Sequence, residues 1–227
     1  MMRNIRALIF DLDGTLIDSE AIYRSCLDQL GFSPQDLTYS AARSKIKARL
    51  GEGHPLARNR LSYFKQILDD SGRPAPEQLF RMMNKYEEAM TQRIAEHWLS
   101  LGRDSLFKQL APKYPMVILT NENLRTQMLK VNAFDPRGSY FKRVITSEEM
   151  GCEKPDQRMF HEALNCLGHP KEEVMMIGDS LDADILPALE LGLQAIYSHE
   201  FCKKVEPIPS SVRTIGKLTE LTEILLQ

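Results

Sequence analysis

Two carboxylates two residues apart, Asp11 and Asp13, follow directly on an apolar run at residues 5–10 in Phe10-Asp11-Leu12-Asp13-Gly14-Thr15. Side chains at i and i+2 of an extended chain point the same way, so a strand ending here delivers both acids to one space unless it has already bent. Gly14 then lets the backbone turn sharply or approach a ligand closely. An acidic strand end followed by a plain Asp-Gly turn is the other reading of these residues. Three later segments carry complementary chemistry. Thr120 and Asn121 close the run 116–119 with a hydroxyl and an amide, both able to donate to an oxyanion, ahead of a helical pattern at 123–131 whose free amides favour an anion. A helix-capping turn accounts for the same pair. Lys154 precedes Pro155, which holds it extended and itself suits a first helical position. Finally, Gly178-Asp179-Ser180 closes the run 174–177 and leads to Asp184, placing Asp179 and Asp184 near the crevice lip that receives Asp11. Asp182 reads as a first-turn acid that complements a helix dipole.

These residue types together point to phosphoryl chemistry. Hard oxygen ligands suit Mg²⁺, which takes one or two carboxylates, several waters and a substrate phosphate, and Asp11 and Asp179 fit that role. A carboxylate attacking a phosphate dianion faces repulsion of about 4 kcal/mol per unit-charge pair at roughly 4 Å and an effective dielectric near 20. Each such pair slows the reaction by roughly a thousandfold, so the charge of Mg²⁺ and of Lys154 is required rather than incidental. The expectation is that Asp11 attacks phosphorus to form an aspartyl-phosphate, while Asp13 protonates the departing oxygen and then activates water.

The elements that must position these groups are legible as alternating short runs. Apolar stretches at 5–10, 116–119, 144–145, 174–177 and 193–197 have the length and composition of buried parallel strands, and from 116 onward helical patterns separate them at crossover spacing. The expected fold is α/β: a doubly wound parallel sheet, which the resemblance named below further implies to be Rossmann-like. About a hundred residues separate the first two strands, where a crossover needs far fewer. Helical patterns at 21–30, 56–68 and 76–99 fill that gap, and 217–226 forms the last one. We therefore expect a helical cap domain over 17–98 inserted into a core of 1–16 and 99–227, with paired connections at 16–18 and 98–103 acting as a hinge.

In combination and order, Asp11-Leu12-Asp13-Gly14-Thr15-Leu16, Thr120-Asn121, Lys154-Pro155 and Gly178-Asp179 through Asp184 resemble the four motifs of the haloacid dehalogenase-like hydrolase superfamily. The likeness extends to its phosphatase branch with a helical cap between motifs one and two. It implies Asp11 as nucleophile and metal ligand, and Asp13 as acid/base that also gives Mg²⁺ its backbone carbonyl. It further implies Thr120 and Asn121 on the phosphoryl oxygens, Lys154 steadying charge, Asp179 on the metal and Asp184 ordering its outer shell. The dehalogenases of that superfamily lack the second aspartate, so Asp13 favours phosphoryl transfer. Mutases of the beta-phosphoglucomutase type carry a His/Lys element soon after motif one, where this chain reads Ile22-Tyr23-Arg24-Ser25-Cys26. A mutase, or a regulatory protein carrying a phospho-aspartate without hydrolysis, is the alternative to a phosphatase.

Composition narrows the partners. Twenty-nine basic residues against thirty-one acidic ones give a formal charge of -2, so nothing argues for general attraction to nucleic acid or an anionic membrane and the expected partner is small. With the motifs and the phosphatase resemblance, that partner is expected to be a small phosphorylated metabolite such as a nucleotide, sugar phosphate or phosphoglycolate. Cys26, Cys152, Cys166 and Cys202 show no zinc-ligand spacing and no disulfide framework. Met1-Met2-Arg3-Asn4 runs straight into a strand and no apolar run approaches a bilayer span, so the expectation is a cytoplasmic protein. Monomer and homodimer stay equally open, because the apolar faces of the cap could fill its own bundle. Basic residues Arg43, Lys45, Lys47, Arg49, Arg58 and Arg60 form either a solvated face of the cap or, where one or two point inward, a site for a second anionic group of the substrate.

Overall fold

The structure, a computed structural model, describes residues 4–32, 37–51, 53–73, 75–202 and 208–226; Met1, Met2 and Arg3 of the amino-terminal reading lie outside them. Six strands form one wholly parallel sheet in the order β3-β2-β1-β4-β5-β6: β1 (Ala7–Phe10), β2 (Met116–Thr120), β3 (Arg143–Thr146), β4 (Val174–Gly178), β5 (Gln194–Ser198) and β6 (Arg213–Ile215). The chain builds outward from β1 on one side, then returns to its other side with β4. This reversal opens a crevice beyond the carboxyl ends of β1 and β4. Phe10 is in register with Ile118 on β2 and Ile177 on β4, so the three strands end together.

Burial on both faces explains the unbroken apolar runs. Leu8, Phe10, Ile118 and Ile177 point to one face, while Ile9, Val117 and Met176 point to the other, against Met159 and Phe160 of a helix at Gln157–Leu167. The first face continues into the helices between β1 and β2: α1 (Ser19–Gln29), α2 (Leu37–Leu50), α3 (Arg60–Asp70) and α4 (Pro76–Ser100). α4 buries Met83, Tyr86, Met90, Ile94 and Trp98 at helical spacing. Trp98 stacks on Phe134 at 4.0 Å and on Phe107 at 5.2 Å, which binds the returning chain to α5 (Arg103–Leu110) and α6 (Leu124–Phe134). The fold is thus a Rossmann-like sheet core with an inserted helical cap.

The two connections are tied to each other. His97 accepts a hydrogen bond from the Asp18 backbone N–H at 3.1 Å, and the fully buried Arg103 donates to the Leu16 carbonyl at 3.2 Å and to Glu200 at 2.8 Å.

Several elements differ from the sequence expectation. The helical reading at 56–68 divides into a 3₁₀ turn at Pro55–Arg58 and α3, because Asn59 interrupts it and caps the second piece through Leu61 N–H. Likewise the pattern at 217–226 is a 3₁₀ turn followed by a helix of only Leu221–Leu225. α2 was not expected, since it buries only Ala42 and Ile46. β6, also unexpected, buries only Ile215. Pro155 lies ahead of the following helix, whose cap is Asp156. All four cysteines are free, and no helix among the described residues is long and apolar enough to cross a membrane.

Candidate active site

Strand ends bring the predicted acids together. Asp11 follows β1 and its N–H is held by the Ile177 carbonyl of β4 at 2.9 Å; Asp179 follows β4; Asp184 sits on the π-type turn Leu181–Ile185 that Ser180 caps. Asp11, Asp179 and Asp184 each offer a carboxylate oxygen such that all three lie within 4.8 Å of one another. Asp182 stays exposed.

Gly14 makes this convergence possible. Its φ of +90° belongs to the region that favours glycine, and a Cβ there would stand 2.1 Å from Asp179 Oδ2. Gly178 has the same spatial role for Asp184, which would lie 2.5 Å from an added Cβ. Thr15 completes the turn by donating to Asp11 Oδ2 at 3.1 Å.

The buried Lys154 Nζ answers this charge. It donates to Asp11 Oδ1 and Asp184 Oδ1, each at 2.6 Å, and to the Leu119 carbonyl at 2.8 Å. Asn121 fixes the lysine's backbone, accepting from Lys154 N–H at 2.7 Å and donating to the Lys154 carbonyl at 2.9 Å. Its amide is therefore engaged in positioning Lys154. One ammonium among three carboxylates leaves negative charge in excess. Burial, opposed by Lys154 and reinforced by Asp184, pushes Asp11 up to about 7. Burial, with the Asp11 and Asp184 charges, pushes Asp179 up to about 8. A hard divalent cation supplies the missing charge to a set of donors that is all oxygen, so the residues present fit Mg²⁺.

Asp13 faces away from this cluster into a second one. Both of its carboxylate oxygens accept from Lys130 Nζ, at 2.6 and 2.8 Å, and Gln127 Nε2 donates to Oδ2 at 2.8 Å. Ser19 and, at 3.3 Å, Tyr23 add hydroxyl contacts from α1. Burial alone would raise the Asp13 carboxyl, but the Lys130 charge and these hydrogen bonds outweigh it and hold Asp13 far below the ordinary carboxylate range. Lys130 is itself without solvent exposure, and the carboxylate on its Nζ is what keeps an ammonium tenable there. Gln127 also donates to Thr120 Oγ1 at 2.6 Å, which links the Asp13 cluster to the end of β2.

The sequence reading missed Thr15, Gln127 and Lys130. Asn123, Gln127 and Lys130 recur at helical spacing, with Asn123 capping α6 through Thr126 N–H. Polar residues on the face that also carries the buried Val131 and Phe134 were the available signal.

Among the described residues, three ion pairs join the cap to the core over the site. Arg58 grips Glu153 at 3.0 and 3.3 Å, and Arg125 grips Glu87 at 2.7 Å through both nitrogens. The Arg125 side chain is 70% exposed, so that pair contributes little. Arg60 to Glu122, at 2.9 Å, is the consequential one: both side chains are buried, and the guanidinium lies 3.9 Å from the centre of the Tyr23 ring. Between cap and sheet lies a cavity of about 590 Å³, within the range of small-molecule sites, whose wall includes Asp11, Asp13, Thr120 and Lys154 from the core and Tyr23, Tyr39 and Arg43 from the cap.

Fold and site together agree with what comparison finds. The family model of haloacid dehalogenase-like hydrolases matches residues 5–192, and the chain belongs to that family. It is a hydrolase, and the curated enzymes it resembles are phosphatases. A ribulose-1,5-bisphosphate 5-phosphatase from Halopiger xanaduensis is 27% identical, covering 95% of this chain and 98% of that protein. The 5-amino-6-(5-phospho-D-ribitylamino)uracil phosphatase YigB of Escherichia coli is 30% identical over 85% of this chain and 83% of its own length. Among solved structures, the HAD-hydrolase YfnB of Bacillus subtilis, bound to magnesium, superposes with a TM-score of 0.69 at 23% identity, covering 99% of this chain and 100% of that one.

Proposed function

We propose that the protein is a Mg²⁺-dependent phosphatase that releases phosphate from a small phosphate monoester held between cap and sheet. The observation that carries this reading is the convergence of Asp11, Asp179, Asp184 and Lys154 at the carboxyl ends of β1 and β4, with Asp13 two residues from Asp11. The phosphatase names of the relatives support it.

In this mechanism Asp11, Asp179 and the Asp13 backbone carbonyl would hold Mg²⁺, with Asp184 ordering its surroundings. The ion would supply positive charge at the phosphoryl oxygens and the nucleophile. Asp11 attacks phosphorus, the ester oxygen leaves with a proton, and an aspartyl-phosphate forms on Asp11. Lys154 and Thr120 hold the phosphoryl oxygens, and Asn121 acts through Lys154, whose backbone it fixes. Asp13 starts as a carboxylate on Lys130. Its basic half-reaction, activating water against the aspartyl-phosphate, is ready in that state, whereas its acidic half-reaction requires it to take up a proton and leave the ammonium.

Phosphate release measured with Mg²⁺ across nucleoside monophosphates, sugar phosphates, phosphoglycolate and a chromogenic ester tests the proposal. Release that EDTA suppresses supports it. No release from any of these compounds despite bound Mg²⁺ would sink it.

Metal binding should also depend on pH in a calculable direction. With Asp11 pushed up to about 7 and Asp179 to about 8, the metal-free folded state retains protons that the unfolded chain gives up near pH 4. Stability therefore falls as pH rises from about 4 through about 8, and a cation that binds the ionised pair offsets the loss. Millimolar Mg²⁺ is expected to raise the melting temperature more at about pH 8.5 than at about pH 6. Equal increments in differential scanning fluorimetry would contradict the assignment of these two acids to the metal.

A further inference from the structure

The wall of the cavity opposite the acids carries cations of unequal commitment. Arg60 is spent on Glu122 and the Tyr23 ring, and Arg58 on Glu153. Arg43, on α2, lines the same cavity with Tyr63 and has no carboxylate at ion-pair distance among the described residues, while the Tyr63 hydroxyl donates to the Ala57 carbonyl. One turn further along α2, Lys47 likewise lacks an ion-pair partner among the described residues. Burial and the nearby charges of Arg43 and Arg58, opposed by Glu153 and Glu122, draw Lys47 below the ordinary lysine range. Lys45, between them, turns outward to Asp70 at 2.8 Å. Glu20, the cap's own acid on the cavity wall, is engaged by Arg24 of its helix at 2.8 Å.

Charge at the two ends of the cavity is thus arranged for two different anions. At the sheet end, Lys154 and a cation on the carboxylates meet the phosphoryl group being transferred. At the cap end, the Arg43 fork, without a carboxylate of its own among the described residues, lines the cavity with Tyr39 and Tyr63, and Lys47 lies one turn further along α2, outside the cavity wall. Guanidinium groups match carboxylate and phosphate oxygens in a planar, two-point fashion. Arg43 is exposed, so a neutral polyol end would gain nothing from its charge, whereas an anion would.

Resting on the phosphatase reading, we propose that the substrate is a phosphate monoester bearing a second anionic group, a carboxylate or another phosphate, at the end remote from the bond that is cleaved, and that Arg43 selects for it. The interaction is made in ground state and transition state alike, so it governs KM rather than kcat.

Three compounds differing at the remote end test this: glucose 6-phosphate, 6-phosphogluconate and glucose 1,6-bisphosphate, with p-nitrophenyl phosphate as the chromogenic reference. The native enzyme is expected to show kcat/KM at least about tenfold higher for one or both compounds with an anionic remote end than for glucose 6-phosphate, and which of the two gains names the remote group. In Arg43→Gln, KM for the preferred compound should rise by about tenfold with kcat within about twofold, erasing the preference, whereas Lys45→Gln should preserve it. Equal kcat/KM for all three sugars, or an unchanged preference in Arg43→Gln, would overturn the inference while p-nitrophenyl phosphate turnover leaves the phosphatase reading standing. Failure to cleave p-nitrophenyl phosphate or any sugar would overturn the phosphatase reading and this inference with it.

Discussion

Asp11→Asn is expected to lower phosphate release by more than roughly 10⁴-fold with every substrate, the scale seen when a catalytic nucleophile is removed. Asparagine has the same shape, and the side chain it replaces is buried. Its carbonyl can still accept from Lys154 Nζ in place of Asp11 Oδ1, and Thr15, which now donates to Oδ2, can rotate its hydroxyl to accept from the new amide. The fold should therefore survive. Charge changes in a direction that separates catalysis from stability. Asp11, Asp179 and Asp184 share one ammonium, and burial with that crowding pushes Asp11 up to about 7, so its ionised form weakens the metal-free protein above that pH. Removing the charge relieves the crowding. At about pH 8 and without Mg²⁺, the variant should melt no lower than the native protein, and Mg²⁺ should raise its melting temperature by less. In native enzyme quenched with acid during turnover, mass spectrometry should find a phosphoryl group on the peptide carrying Asp11, and none in the variant. Full turnover in Asp11→Asn would mean that water, rather than this carboxylate, attacks phosphorus.

How far the sequence revealed this site depends on where each residue's signal lies. Residues at strand ends announce themselves, because a buried parallel strand is a continuous apolar run and whatever polar group terminates it stands at the crevice. Asp11, Thr120 and Asp179 were legible in that way, and the strands β1 to β5 with them. Lys154 was legible through its neighbours, although the role of Asn121 in holding its backbone was not, since that contact spans the loops after β2 and β3. Helical residues carry a weaker signal. Lys130 and Gln127 lie in the middle of α6, where a lysine and a glutamine ordinarily face water, and only the packing of α6 against α4 and the sheet turns them inward. α2 and β6 escaped notice for a related reason: each buries one or two apolar side chains, too few to make a period. Arg60 and Glu122 are far apart in sequence, so their buried pairing could not be read before the cap was seen lying on the sheet.

Asp13→Asn is expected to lower steady-state turnover by roughly 10² to 10⁴-fold, the usual worth of a general acid–base group, and Lys130 makes a second variant necessary to interpret it. Asparagine cannot balance the ammonium that now bonds both Asp13 oxygens. The charge left uncompensated is the wholly buried Lys130 ammonium, and orphaning one partner of a buried pair costs about 3–5 kcal/mol. Part of any lost activity would then be lost protein. Lys130→Met in the Asp13→Asn background removes the orphaned charge and fills the space with a side chain of similar length. That double variant should recover most of the melting temperature lost by Asp13→Asn, while its turnover stays as low as that of the single variant. The chemistry of the leaving group gives the complementary reading. p-Nitrophenolate leaves without being protonated, so phosphorylation of Asp11 should persist in Asp13→Asn, whereas hydrolysis of the aspartyl-phosphate lacks its base. A burst approaching one equivalent of p-nitrophenolate per enzyme, followed by slow release, is the expected time course. Recovery of both stability and turnover in the double variant would reduce Asp13 to a structural counter-ion for Lys130. A linear time course as slow as the steady state would place its main role before the aspartyl-phosphate forms.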